Sequence, residues 1–129
     1  MVPVQQVDLL VHLWFMTDPA TIATHFRHVH FGGNWTCVNL RDTLKDVTWQ
    51  EALHTREGFN SIAVLTYHIH YFVHAVLQVL EGGPLDAHDT FSFTHPPITN
   101  DADWQELLEN AWTDAERFAT LVEQLPDDR

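Results

Sequence analysis

Apolar residues return every three or four positions along two long stretches of the chain. In residues 58 to 81 they are Ile62, Leu65, Ile69, Phe72, Val76 and Leu80, a period that predicts a helix with one apolar stripe. Gly58 with Asn60 or Ser61 opens this helix, and Gly82-Gly83-Pro84 ends it. In residues 100 to 125 the stripe is Trp104, Leu108, Ala111, Ala115, Phe118, Val122 and Leu125. Its steps of four and three are those of a seam in an antiparallel bundle. Asn100 suits the cap, and Asp101 and Asp103 fall in the first turn, where the helix dipole favours anions.

A third helix is predicted over residues 18 to 31. Asp18 can cap it, Pro19 suits its first position, and Ile22, Phe26 and Val29 follow at helical spacing up to Gly32-Gly33. Residues 34 to 47 read as a loop with a helical turn that buries Leu40 and Leu44, and Thr48 with Glu51 has the form of a capping box. A loop of about fifteen residues containing Pro96-Pro97 precedes the last helix. Residues 4 to 16 also admit a short helix, apolar nearly all round. No stretch sustains the period-two alternation of a strand.

The pattern therefore predicts one all-α domain over residues 1–129, an up-down antiparallel four-helix-bundle type with three long helices evident. The expected core pairs the face Leu65–Ile69–Phe72–Val76 with the face Trp104–Leu108–Ala111–Ala115.

Composition narrows the function classes. Six Lys and Arg stand against 18 Asp and Glu, a formal charge of −12, so no basic footprint exists for nucleic acid. At 45 % hydrophobic residues the chain is too apolar to be disordered. Cys37 is the only cysteine, which excludes an intrachain disulfide and fits a reducing cytoplasm. Residues 1 to 16 lack the basic start and cleavage site of a secretion signal, and no membrane span is expected.

The candidate chemistry lies in the histidines, ten in all. In Tyr67-His68-Ile69-His70-Tyr71-Phe72-Val73-His74, a helical wheel puts His68 at the edge of the Leu65–Ile69–Phe72 stripe. There it points inward, toward the bundle end that carries His30 or His12, either as a hydrogen-bonded core histidine or as a metal ligand. His70 and His74 are i, i+4 neighbours expected on the wetter face, a solvated pair that can also chelate Zn²⁺ or Ni²⁺. His25, His28 and His30 form a second group on an ordinary helix face. No nucleophile motif and no phosphate-cradling glycine loop occurs.

Three segments carry a resemblance: residues 30–52, beginning HFGGNWTCVNL; residues 59–93, containing SIAVLTYHIHYFV; and residues 103–126, beginning DWQELLENAW. With the short Leu65-Thr66-Tyr67-His68 signature, Trp35, the Leu40–Leu44 turn and Ala52, they make the chain similar to the DinB-like superfamily over about residues 23–126. The resemblance implies a four-helix bundle, often a homodimer, with a three-histidine site for a divalent ion such as Zn, Ni or Mn. One ligand falls on His68; two more belong to a fourth helix, typically as His-x-x-x-His. His30 and Trp35, beside the glycine pair, are then contacts near the site mouth. The activity implied is metal-dependent hydrolysis or thiol-dependent transfer on a small-molecule substrate.

The sequence departs from that pattern after Pro126, where Asp127-Asp128-Arg129 leave no fourth helix and no further ligands. The metal site is expected to be incomplete, with His12 an outside candidate for a replacement ligand. The alternative expectation is a non-catalytic helical module that covers its open face by self-association.

Overall fold

The structure is a computed structural model that describes residues 18–127, all helix, turn and loop apart from one isolated bridge between Arg56 and Phe59. Helix α1 spans Pro19–Phe31, α2 Leu40–Leu44, α3 Trp49–Leu53, α4 Ile62–Leu80, α5 Asp89–Ser92 and α6 Asp101–Glu123. The expected helix over 4–16 and His12 lie outside the described residues.

Each long helix begins where a side chain can accept an orphan amide. The Asp18 carboxylate accepts from the Thr21 amide at 2.9 Å, Ser61 Oγ from Val64 at 3.1 Å, and Asn100 Oδ1 from Asp103 at 2.9 Å. The Thr48–Glu51 capping box forms in both directions. Helix α1 stops at Gly32 and Gly33, both at positive φ. A side chain at Gly33 would also press on the His28 ring at 3.2 Å. Helix α4 starts at Ile62 rather than 58 because residues 54–60 form the turn closed by the Arg56–Phe59 bridge. The loop before α6 carries one extra turn of helix, α5. Replacing Asn100 by Ala strands the Asp103 amide and should cost about 1 kcal/mol, read as a lower urea midpoint.

Helix α6 is the hub, with α1 and α4 both packed on it. Against α1 it runs antiparallel. Ala23 near the start of α1 shares a buried cluster with Ala119 and Val122, while His30 and Phe31 at its end meet Trp112. Arg27 bridges the pair, reaching Glu116 at 2.9 Å and Glu123 at 3.1 Å. Against α4 it runs parallel. Ala63 shares a cluster with Trp104 and Leu108, His74 pairs with Asp114, and Glu81 pairs with Arg117. This differs from an up-down order, in which chain neighbours alternate. The connection from Glu81 to Asn100 is long enough to carry the chain back to the starting end.

The second correction concerns which side of α4 is buried. The α6 stripe is largely where the pattern puts it, with Trp104, Leu108, Ala111, Ala115 and Val122 buried, together with Leu107 and Ala119. Helix α4 instead buries Ala63, Thr66, Ala75 and Leu77. Its expected core residues Leu65, Ile69, Phe72 and Val76 stay between 37 % and 48 % exposed. Helix α6 meets this face with Trp104, Leu107 and Leu108 around Ala63 and with Ala111 beside Thr66, so the small side chains of α4 seat against it and the bulky stripe turns away. Ile62–Leu80 is also, by length and composition alone, long and apolar enough to cross a bilayer, contrary to the expectation that no segment is.

Candidate metal centre

Turning α4 so that Ala63 and Thr66 face α6 carries His70 with them. Residues 63, 66 and 70 lie on one helical face. His70 lines a small cavity, about 20 Å³, with Thr66, Ile69 and Val73 of α4, Ala111 and Trp112 of α6, and His30 of α1. It also lines a larger cleft of about 220 Å³ with Tyr67, Pro96, Pro97, Glu106 and Asn110. Its side chain is only 13 % exposed. The expectation that His70 and His74 both face water is thus corrected for His70; His74, one turn on, is the half that does.

Both rings turn toward one carboxylate on α6. Asp114 Oδ2 lies 2.7 Å from His74 Nδ1 and 3.7 Å from His70 Nε2. One ligand atom from each of the three residues falls within 4.8 Å of the others, the one such group of three among the described residues. At the outer edge, Gln78 Nε2 stands 3.4 Å from His74 Nε2.

The polar accounting around His70 does not close. Its Nδ1 is buried without a hydrogen-bond partner. A proton on Nδ1 leaves that N–H unsatisfied and aims the Nε2 lone pair at an anionic oxygen. A proton on Nε2 sits too far from Asp114 for a sound bond and leaves the Nδ1 lone pair buried. Burial lowers the pKa of His70, Asp114 pulls it back up, and His74 adds to the lowering. Near neutrality the ring is uncharged, the state a metal ligand needs.

His68 sits elsewhere. Ser92 Oγ gives its hydrogen to the Asp89 carbonyl, so His68 Nδ1–H donates to Ser92 Oγ at 2.8 Å. The ring stacks on Phe93 at 4.3 Å between centroids and meets the edge of Phe72 at 5.2 Å. The tautomer leaves the Nε2 lone pair free, as in an oriented ligand. No group of three ligands among the described residues includes it. It points to the α5 side of α4, not to the cavity that holds His30.

His30 is buried, its Nδ1–H donating to the Phe26 carbonyl at 3.0 Å and its ring stacked on Phe26. Burial depresses its pKa more than that carbonyl raises it. Trp35, expected near the site mouth, is 93 % exposed on the turn after α1. Asp114 was missed altogether. Forty residues separate it from His74, and nothing in local spacing marks one acid of α6 above the others.

Compared with protein-family models, curated proteins and solved structures, the chain gives no match.

Proposed function

We propose that the protein is a DinB-like helical metalloprotein of the cytoplasm that binds one divalent cation through His70, His74 and Asp114. The observation that carries this reading is the convergence of two imidazoles and a carboxylate, from two packed helices, within 4.8 Å. Two histidines and one carboxylate are a donor set for Zn²⁺ and for its neighbours in the first transition row, and three protein ligands leave a position open. Asp114 Oδ2 already faces both rings, and a cation among the three would supply the positive charge that neutral His70 does not. Gln78 can turn its amide oxygen to His74 Nε2–H when Nδ1 is given to the ion.

Bound there, a divalent cation supplies Lewis acidity to a water or a thiol, the chemistry of a metal-dependent hydrolase or thiol-dependent transferase. The chain's own contribution is to hold neutral His70 at the wall of the Tyr67–Pro97–Asn110 cleft, where a small substrate has room. On this reading His68 positions the α5 loop through Ser92 instead of completing the site.

Calorimetric titration of chelator-treated protein with Zn²⁺ tests it. One equivalent should bind. His74→Ala and Asp114→Ala should each weaken binding by more than the roughly 10–100-fold that loss of an outer contact costs. His68→Ala should bind as the parent does. Retention in both α4–α6 variants with loss in His68→Ala would transfer the site to His68 and overturn the assignment.

A further inference from the structure

Cations are scarce in this chain, yet two of its six Lys and Arg come together. Arg27 of α1 and Arg41 of α2 line one cleft of about 490 Å³, with Phe31 of α1 and with Trp112, Thr113 and Glu116 of α6. Small-molecule sites have volumes of roughly 300–1,000 Å³. None of His70, His74 and Asp114 lines this cleft, so it is separate from the metal centre.

The two arginines differ in what they have left to give. Arg27 is already held, its Nε on Glu116 at 2.9 Å and its Nη2 on Glu123 at 3.1 Å and Thr120 at 3.3 Å. Arg41 lies over the Phe31 ring, 5.1 Å from the centroid, and gives one Nη2 hydrogen to the Phe31 carbonyl at a long 3.5 Å. It pairs with no carboxylate among the described residues. A guanidinium set against an aromatic ring, with most of its five donors unused, presents a fork that matches a planar carboxylate. Beside it the Trp112 ring meets Phe31 edge-on at 6.2 Å, which supplies an apolar wall. Neither the Trp112 indole N–H nor the Thr113 hydroxyl donates to another described residue.

We propose that this cleft binds a small organic monocarboxylate, its carboxylate on Arg41 and its flat apolar body against Trp112 and Phe31. One guanidinium without a carboxylate partner balances one negative charge. A phosphate monoester carries nearly two at pH 7 and sets the second against Glu116. The chain's −12 opposes any anion at long range. Salt of about 0.15 M confines that opposition to roughly 8 Å, so the groups of the cleft itself decide. They are two guanidinium groups and one carboxylate.

Benzoate titrated into the full chain, followed by calorimetry and by amide and side-chain N–H resonances, tests the proposal. Binding should be roughly millimolar, as a ligand of that size allows, and should shift the Trp112 indole and Arg41 Nε signals together. Arg41 is exposed, so Arg41→Gln should keep the parent's urea midpoint while weakening benzoate at least roughly tenfold, the worth of one charge-assisted hydrogen bond. Glu116→Gln removes the opposing charge at constant shape and should tighten binding roughly two- to fivefold, the scale of an exposed charge pair. A purely structural Arg41 gives no such gain, and should Arg41→Gln fail to fold, the direction of change in Glu116→Gln decides. Benzylamine, the cation of similar shape, should not bind. Arg41 and Trp112 signals that stay fixed overturn the proposal, as does an Arg41→Gln variant that binds like the parent. So does benzylamine or phenyl phosphate bound as tightly as benzoate. Acetate bound as tightly overturns it too, because the apolar wall then contributes nothing.

Discussion

Trp104→Ala should remove a large share of the folding free energy, about 3–5 kcal/mol by the loss of a buried aromatic. Trp104 has no exposed surface, and its cluster joins α6 to α2, α3 and α4 through Leu44, Ala52, Ala63, Leu107 and Leu108. Its indole N–H also donates to the Val47 carbonyl at 2.9 Å, the bond that ties the α2–α3 connection to α6. Truncation opens a cavity among four elements and leaves that carbonyl without its donor. A domain of this size has only about 5–15 kcal/mol in hand, so the variant should unfold at a much lower urea concentration. Trp104→Phe, which keeps most of the volume, should lose distinctly less. Trp35→Ala, at a side chain almost wholly in solvent, should stay within about 0.5 kcal/mol of the parent. Equal midpoints for Trp104→Ala and the parent would show that the cluster does not form.

The α6 side of that core was legible because α6 is amphipathic. Polar residues, Gln105, Glu106, Glu109, Asn110, Thr113 and Asp114, hold most positions between Trp104, Leu108, Ala111 and Ala115, which marks one face as the buried one. Helix α4 has no charged residue to mark an outside, and in such a helix periodicity finds a stripe without saying what the stripe meets. The largest side chains were read as core. Packing selected the small ones, Ala63 among Trp104, Leu107 and Leu108, and Thr66 beside Ala111. The error propagated to the site, since rotating α4 exchanges the roles of His68 and His70. The histidine cluster itself was visible as a cluster. Its third member, Asp114, depends on the register of α4 against α6, which no local spacing encodes.

Acid should weaken the chelator-treated protein well above the carboxylate range, and His30 should be a main cause. Burial holds its pKa below the ordinary 6.5. It is packed by Phe26, Phe31 and Trp112, and among the described residues the only other titratable group lining its cavity is His70, depressed by burial in the same direction. Between the lowered native value and 6.5, the unfolded chain holds a proton that the native chain lacks. Stability is therefore complete above about pH 6.5 and falls as pH drops through the native value, with a slope of at most about 1.4 kcal/mol per pH unit for each histidine. Glu51 and Asp103, held low mainly by the backbone amides of Thr48 and Thr99, add losses of the same sign only in the carboxylate range. Urea midpoints in the parent should differ little between pH 7.5 and 6.5 and fall clearly by pH 5.5. In His30→Phe, which keeps the stack on Phe26, the fall should be shallower by up to that one-proton slope. If His30→Phe unfolds outright, His30→Gln serves the same comparison, because neither replacement titrates. A pH dependence identical to the parent's in both variants would mean that His30 keeps an ordinary pKa in the fold.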